Sequence, residues 1–192
     1  MSIVNMTSTT RFRQRLAVAL TLVVLLFSAA PLWAQHDVGN STREYDIKAA
    51  FVYNFALYVD WPAGTIKDGN IVFGVLGKNE YDGSLDELTK HSINNNHIVI
   101  KQVNSLDDAA QCQVLIVSPS EEPRYAQIFA ALKGKPVLVV GETPDFAAKG
   151  GCIGFIAYRS RLRFEINLNA LKQQGLSASS KLLNLATIVN GH

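Results

Sequence analysis

Hydrophobic positions in this 192-residue chain fall into one unbroken block, four short runs, one alternating stretch and two helical stripes. Each pattern predicts a different element. The block, Leu16 to Ala34, carries no charge and follows Arg11, Arg13 and Arg15. That order is a basic n-region before an apolar h-region, and Pro31 with Ala34 places cleavage before Gln35. Residues 1–34 are expected to be an export signal, leaving no stable membrane insertion once removed. The alternative is a retained anchor, because nineteen uncharged residues approach the roughly 20 that span a bilayer. No cysteine stands directly after the block, which excludes lipoprotein anchoring.

The four runs are IVFGVL from Ile71, IVI from Ile98, VLIV from Val114 and VLVV from Val137. They are rich in Val and Ile and do not alternate, which predicts strands covered on both faces of a largely parallel sheet. Between the third and fourth, Ser118 and Glu121 have capping-box spacing, Glu121 and Glu122 suit a helix start, and Gly134 and Pro136 stop it. This reads as a strand, helix, strand unit. Thr143 and Pro144 mark another short helix, and Gly150 and Gly151 lead into the strand CIGFIAY. Leu162, Phe164 and Ile166 then alternate with Arg161, Arg163 and Glu165, predicting an antiparallel hairpin with one wet face. The fold expected is α/β: a mostly parallel sheet with an antiparallel edge hairpin and helices on both faces.

The two helical stripes are apolar nearly all round. In Tyr45 to Tyr58, Ile47, Phe51, Phe55 and Tyr58 share one face, yet Val52, Tyr53, Ala56 and Leu57 fill the others. Ser179 to Val189, read as a last helix, carries Leu182, Leu183, Leu185, Ala186, Ile188 and Val189. Such helices are either buried centrally or meet a partner. Residues 35–44 read as a polar tail and 45–192 as one domain.

Charge narrows the partners. The leader takes three arginines with it, so the remaining 158 residues hold fifteen basic against sixteen acidic side chains. That balance offers no electrostatic case for nucleic acid or an anionic membrane. Export to an oxidising space allows Cys112 and Cys152 to form at most one internal disulfide. Those cysteines with His36, His91, His97 and His192 show no metal-ligand spacing.

No catalytic arrangement stands out. GxSxG and HExxH are absent, and Ala178 breaks an SxxK reading of SASSK, whose Ser177 or Ser179 suits a helix cap instead. Asn79 stands where a phosphate loop needs Ser or Thr, so GVLGKNEYDG reads as a strand-to-helix turn. Its amides leave room for a small-anion site. The carboxylate pairs Asp107–Asp108 and Glu121–Glu122 complement helix dipoles, and no nucleophile has a visible base. No cofactor is implied.

Taken in order, the segments resemble the YfiR family. KAAFVYNFALYVDWP from Lys48, IVFGVLGKNEYDGSLDEL from Ile71, CQVLIV from Cys112, KPVLVVGETPDFAAKGGCIGF from Lys135 and RFEINLNALKQQGLSASSKLLNLA from Arg163 carry the similarity. The resemblance implies a periplasmic α/β protein, self-associating into dimers. It implies binding to the periplasmic sensing domain of a membrane-anchored diguanylate cyclase, held inactive until envelope stress releases it. Relatives can carry two disulfides, and Cys112 and Cys152 look like one member of each pair. If both begin strands separated by a third, their Cα atoms lie beyond the roughly 7 Å a bond permits, leaving free or intermolecular thiols.

Two site expectations follow. A partner-binding surface is expected at Phe51, Phe55, Tyr58, Trp61, Leu182, Leu183 and Leu185, since aromatic side chains are favoured anchors. The alternative is a solute or nucleotide module with a pocket at the carboxyl ends of the strands, drawing on Gly77, Lys78, Asn79, Ser118 and Ser120, with Arg163 and Lys181 as further cations.

Overall fold

Helix α1, Val38–Leu57, begins seven residues before the apolar stripe does. The Glu44 carboxylate reaches Lys48 at 2.7 Å one turn on, which favours helix through this polar stretch. The computed structural model describes residues 38–81, 83–159 and 161–190. Residues 1–34, expected to be an export signal, lie outside the described residues, as do His36 and His192. Ser41–His192 forms one compact unit.

After α1 the chain forms β1 (Val59–Asp60), β2 (Asn70–Leu76), a 3-10 turn (Asp86–Lys90), β3 (Ser92–Ile93), β4 (Asn96–Val103) and the short α2 (Leu106–Ala109). Next come β5 (Val114–Val117), a 3-10 turn (Pro119–Arg124), α3 (Tyr125–Leu132), β6 (Leu138–Gly141), β7 (Ile153–Tyr158) and β8 (Arg161–Asn167). The chain closes with α4 (Leu168–Gln173), β9 (Ser177–Ala178), α5 (Ser180–Leu183) and β10 (Thr187–Val189).

Eight strands form one sheet in the order β10-β8-β7-β6-β5-β2-β4-β3. All pairs are parallel except β7 with β8 and β3 with β4. This is the expected α/β architecture. Every residue of β5 and β6 is buried, the physical reason that their sequences do not alternate. The core runs through Ile71, Phe73, Leu115, Leu138, Ile153 and Ile166. Over it, Phe146 lies so close to Gly151 that an added Cβ would sit 2.1 Å from the ring, so only glycine fits there.

Local differences from the sequence reading are physical. Thr143 and Pro144 start no helix: Asp145 takes φ 61°, and the segment closes as turns through bonds such as Lys149 N to Asp145 O at 2.8 Å. The last helix stops at Leu183, because Thr187–Val189 pairs in parallel with Glu165–Asn167. A β-branched Thr-Ile-Val run beside an available sheet edge prefers strand. The β7–β8 hairpin is therefore flanked at its root by β10.

Candidate functional site

Three places bear on function, and the first is the carboxyl end of the sheet. There β2 is followed by Gly77, whose φ of +89° and whose absent Cβ, which would lie 2.6 Å from Ser120 Oγ, let the two loops touch. The Lys78 amide donates to Ser120 Oγ at 3.1 Å, and Ser120 Oγ bonds Ser118 Oγ at 3.1 Å. Gln102 Nε2 donates to the Gly77 carbonyl, the Tyr81 amide to Asn79 Oδ1, and Lys78 Nζ pairs with Glu80. Polar groups expected to hold a ligand thus satisfy one another. Arg163 is four strand spacings from this loop, about 19 Å, and exposed Lys181 belongs to α5. The expected ligand set is not brought together as one site.

The same end of the sheet holds a buried lysine that the apolar pattern of its helix did not single out. Lys48, in the middle of an apolar helix and 6% exposed, pairs with Glu142 just past β6 and with Glu44. Its ammonium also lies 4.5 Å from the Tyr45 ring centre, and Tyr45 meets Tyr81 edge-on at 5.0 Å. Burial alone would lower the Lys48 pKa, but the hydrogen bonds to Glu142 and Glu44 outweigh it and hold it above its ordinary value. Burial, then the negative charge of Glu142, pushes the Tyr81 phenol well up. The cluster ties α1 to the sheet through the Lys48–Glu142 pair. Its sequence signal was a lone lysine on an otherwise apolar face.

The second place is the face covered by α1. Phe55 is fully buried, its ring centre 4.8 Å from Phe164 and 5.5 Å from Phe155. Leu182 is 2% exposed. These two belong to the interior, a correction to their place in the expected contact surface: α1 lies on the aromatic root of the β7–β8 hairpin and consumes its apolar face there. Phe51 sits half-buried on the same rings. Tyr58 and Trp61 are drawn to the C-terminal segment by the β1–β9 pairing and by the Ser179 amide, which donates to the Tyr58 carbonyl at 2.9 Å. Leu183 packs half-buried against the core, and the indole N–H of Trp61 is buried without a partner among the described residues.

α1 and the residues after α5 carry three exposed aliphatic side chains. Leu185 is 68% exposed, Ile47 45% and Ile188 43%. Ile188 lies beside Ile166 in the parallel pair, so it shares the face of β8 on which α1 packs. Ile47 precedes Phe51 by one helical turn. Both were visible as members of the apolar stripes, but only Leu185 was singled out.

The third place is a cleft of about 490 Å³ at the amino ends of the strands, lined by residues that include Thr65, Lys67, Asp68, Asn70, Gln111 and Gln113. This is the edge opposite the one expected. Gln113 shapes it, accepting from the Val72 amide and donating to the Thr65 carbonyl.

Cys112 and Cys152 are free and buried. They precede β5 and β7, which β6 separates, in accord with the strand-spacing argument. Burial pushes the thiols up to about 11 and about 12, so neither is a nucleophile near neutral pH. Among the described residues no three His, Cys, Asp or Glu side chains group as metal ligands, and no helix is long and apolar enough to cross a membrane.

Comparison with known proteins adds two findings. A family model described as YfiR/HmsC-like matches residues 45–187. A solved structure, the ABC domain in complex with L-Trp from Streptococcus pneumonia, is 9% identical with a TM-score of 0.49 over 72% of this chain. The match spans 59% of that structure's length.

Proposed function

This chain belongs to the YfiR/HmsC-like family, and from that premise we propose that it is a periplasmic regulator of cyclic-di-GMP signalling rather than a catalyst. In this reading it binds the sensing domain of an inner-membrane diguanylate cyclase and holds that enzyme inactive. The observation that carries the reading is the exposed aliphatic surplus of two segments, Ile47 on α1 and Leu185 and Ile188 after α5. Exposed aliphatic side chains grouped beside half-buried aromatic ones are the composition of a binding patch. The contact surface is then Phe51, Tyr58, Trp61, Leu183 and Leu185, joined by Ile47 and Ile188, with Phe55 and Leu182 supporting it from beneath.

Inhibition sets a thermodynamic condition. The regulator must bind the inactive cyclase more tightly than the active one, because equal affinity shifts nothing. Moving a 99:1 active population to 1:99 takes about 10⁴-fold preference, about 5.5 kcal/mol. A handful of well-buried anchors supplies that range. Self-association through the same face would compete with the cyclase, so a dimer dissociating on complex formation is one form the regulation takes. The test is direct binding of the purified protein to a candidate cyclase's periplasmic domain, before and after Leu185→Asp.

The cleft at the amino ends of the strands supports a second reading, a small-molecule sensor without catalysis. Its volume falls within the roughly 300–1,000 Å³ of small-molecule sites. A specific solute or nucleotide would raise the melting temperature by mass action, whereas a panel that leaves it unmoved removes this reading.

A further inference from the structure

The β7–β8 hairpin runs past the rest of the sheet. β6 pairs with β7 only at Val140–Ile153 and Gly141–Gly154, and β10 pairs with β8 only from Glu165 onward. Between them, Phe155–Tyr158 and Arg161–Phe164 pair with each other alone, making a two-stranded arm with no further strand on either side among the described residues. One face of the arm carries Phe155 and Phe164 and is covered by Phe51 and Phe55. The register Tyr158↔Arg161, Ile156↔Arg163 and Gly154↔Glu165 puts these residues together on the opposite face, because cross-strand partners point the same way. The root of that face is covered: an added Cβ on Gly154 would lie 3.1 Å from the Ala147 backbone nitrogen. Beyond it Ile156 is half-buried, and Tyr158, Arg161 and Arg163 are exposed.

The uncovered part is basic and aromatic. Tyr158 is 50% exposed, with the Arg159 guanidinium 5.2 Å from its ring centre. Arg161 and Arg163 are exposed and make no ion pair among the described residues. The folded chain beyond the leader is otherwise close to neutral, so this local excess is not a reflection of net charge. Lys78, Lys90, Lys101, Arg124 and Lys149 have acidic partners, while Lys67, Lys133, Lys135, Lys172 and Lys181 are exposed cations without an ion pair among the described residues; what sets the arm apart is that Arg159, Arg161 and Arg163 fall together beside Tyr158.

We propose that this arm is a second docking surface, for an acidic, extended polypeptide segment whose carboxylates pair with Arg161 and Arg163 while Tyr158 supplies apolar contact. Guanidinium groups two residues apart on one strand face lie about 6.8 Å from one another along the strand, the repeat at which alternate residues of another extended chain present carboxylates. The planar fork of arginine takes a carboxylate with two parallel hydrogen bonds. Glu165 follows on the same face, so charge changes sign from tip to root. A peptide can match such a pattern in one register, whereas a uniformly anionic bilayer surface meets repulsion at the root. The proposal goes beyond the apolar surface assigned above and holds whatever that surface binds.

The test uses the purified protein with three probes: a labelled peptide of alternating Glu and Val, its counterpart with Lys for Glu, and phosphatidylglycerol vesicles. The acidic peptide is expected to bind, to weaken as salt rises, and to lose at least about tenfold in affinity in R161E/R163E. An R161K/R163K protein should retain an intermediate affinity. Both variants lie on an exposed face, and an unchanged melting temperature checks their fold. Failure to bind the acidic peptide, equal binding of the basic one, or binding that survives the charge reversal overturns the proposal. So does arginine-dependent binding of the vesicles in preference to the peptide.

Discussion

The backbone amide of Ser179 donates to the carbonyl of Tyr58 at 2.9 Å, fastening the end of the first helix to the start of the C-terminal segment. Together with the pairs Val59↔Ala178 and Asp60↔Ser177, it brings two stretches more than a hundred residues apart into one surface. Its geometry also sets the direction of α5, since Ser179 Oγ accepts from the Leu182 amide at 3.4 Å.

Ser179→Ala keeps the backbone bond and removes this cap. A loss of about 1 kcal/mol is expected, read as a lower midpoint in urea unfolding. An unchanged midpoint would mean that the cap contributes nothing to the seating of α5.

Lys48→Met should cost more, about 3 kcal/mol, because it leaves Glu142, whose side chain is 11% exposed, without its cation. Adding Glu142→Gln should recover part of the loss, and a double-mutant cycle measures the coupling. Additive losses would contradict the pairing.

Alkaline pH should weaken the fold through the same cluster. Lys48, Tyr45 and Tyr81 all have pKa values raised by folding, so the folded chain holds protons that the unfolded chain releases. Their contribution is complete below the ordinary values, 10.0 for tyrosine and 10.5 for lysine, and is lost as pH climbs through the raised ones. Stability measured by denaturant between pH 9 and 11.5 should fall, and Tyr81→Phe should flatten the slope. A parallel slope in that variant would remove Tyr81 from the account.

Glycine at 151 is required by Phe146, whose ring atom would lie 2.1 Å from an alanine Cβ, while a Cβ on Gly83 meets nothing within 4 Å. Gly151→Ala should therefore destabilise by about 2 kcal/mol or more, and Gly83→Ala should stay within about 0.5 kcal/mol. Equal thermal midpoints for the two would contradict this packing.

Much of the fold was legible in the sequence because the central strands are buried on both faces, and burial writes itself as uninterrupted Val and Ile. The C-terminal helix was misread because its apolar residues serve two structures, Leu182 filling the core and Ile188 lying in the outermost strand. Periodicity cannot see a strand that exists only because β8 offers an edge. The contact surface was half legible for a related reason. Side chains of Phe51 and Phe55 share one helix and similar chemistry, and only the position of Phe155 and Phe164 beneath α1 decides that Phe55 is interior. The role of Lys48 depends on Glu142, ninety-four residues away, a distance no local pattern encodes. For the loop at Gly77, local chemistry showed the right residues, and Ser120 across the sheet decided that they bond one another.

The regulator reading rests on the exposed aliphatic side chains of α1 and of the segment after α5, and titration calorimetry of the protein against the periplasmic domain of its candidate cyclase tests it most directly. Leu185→Asp and Ile188→Asp, both on exposed side chains, should each weaken binding by about tenfold or more with unchanged melting temperatures. Full affinity in both folded variants would contradict the account.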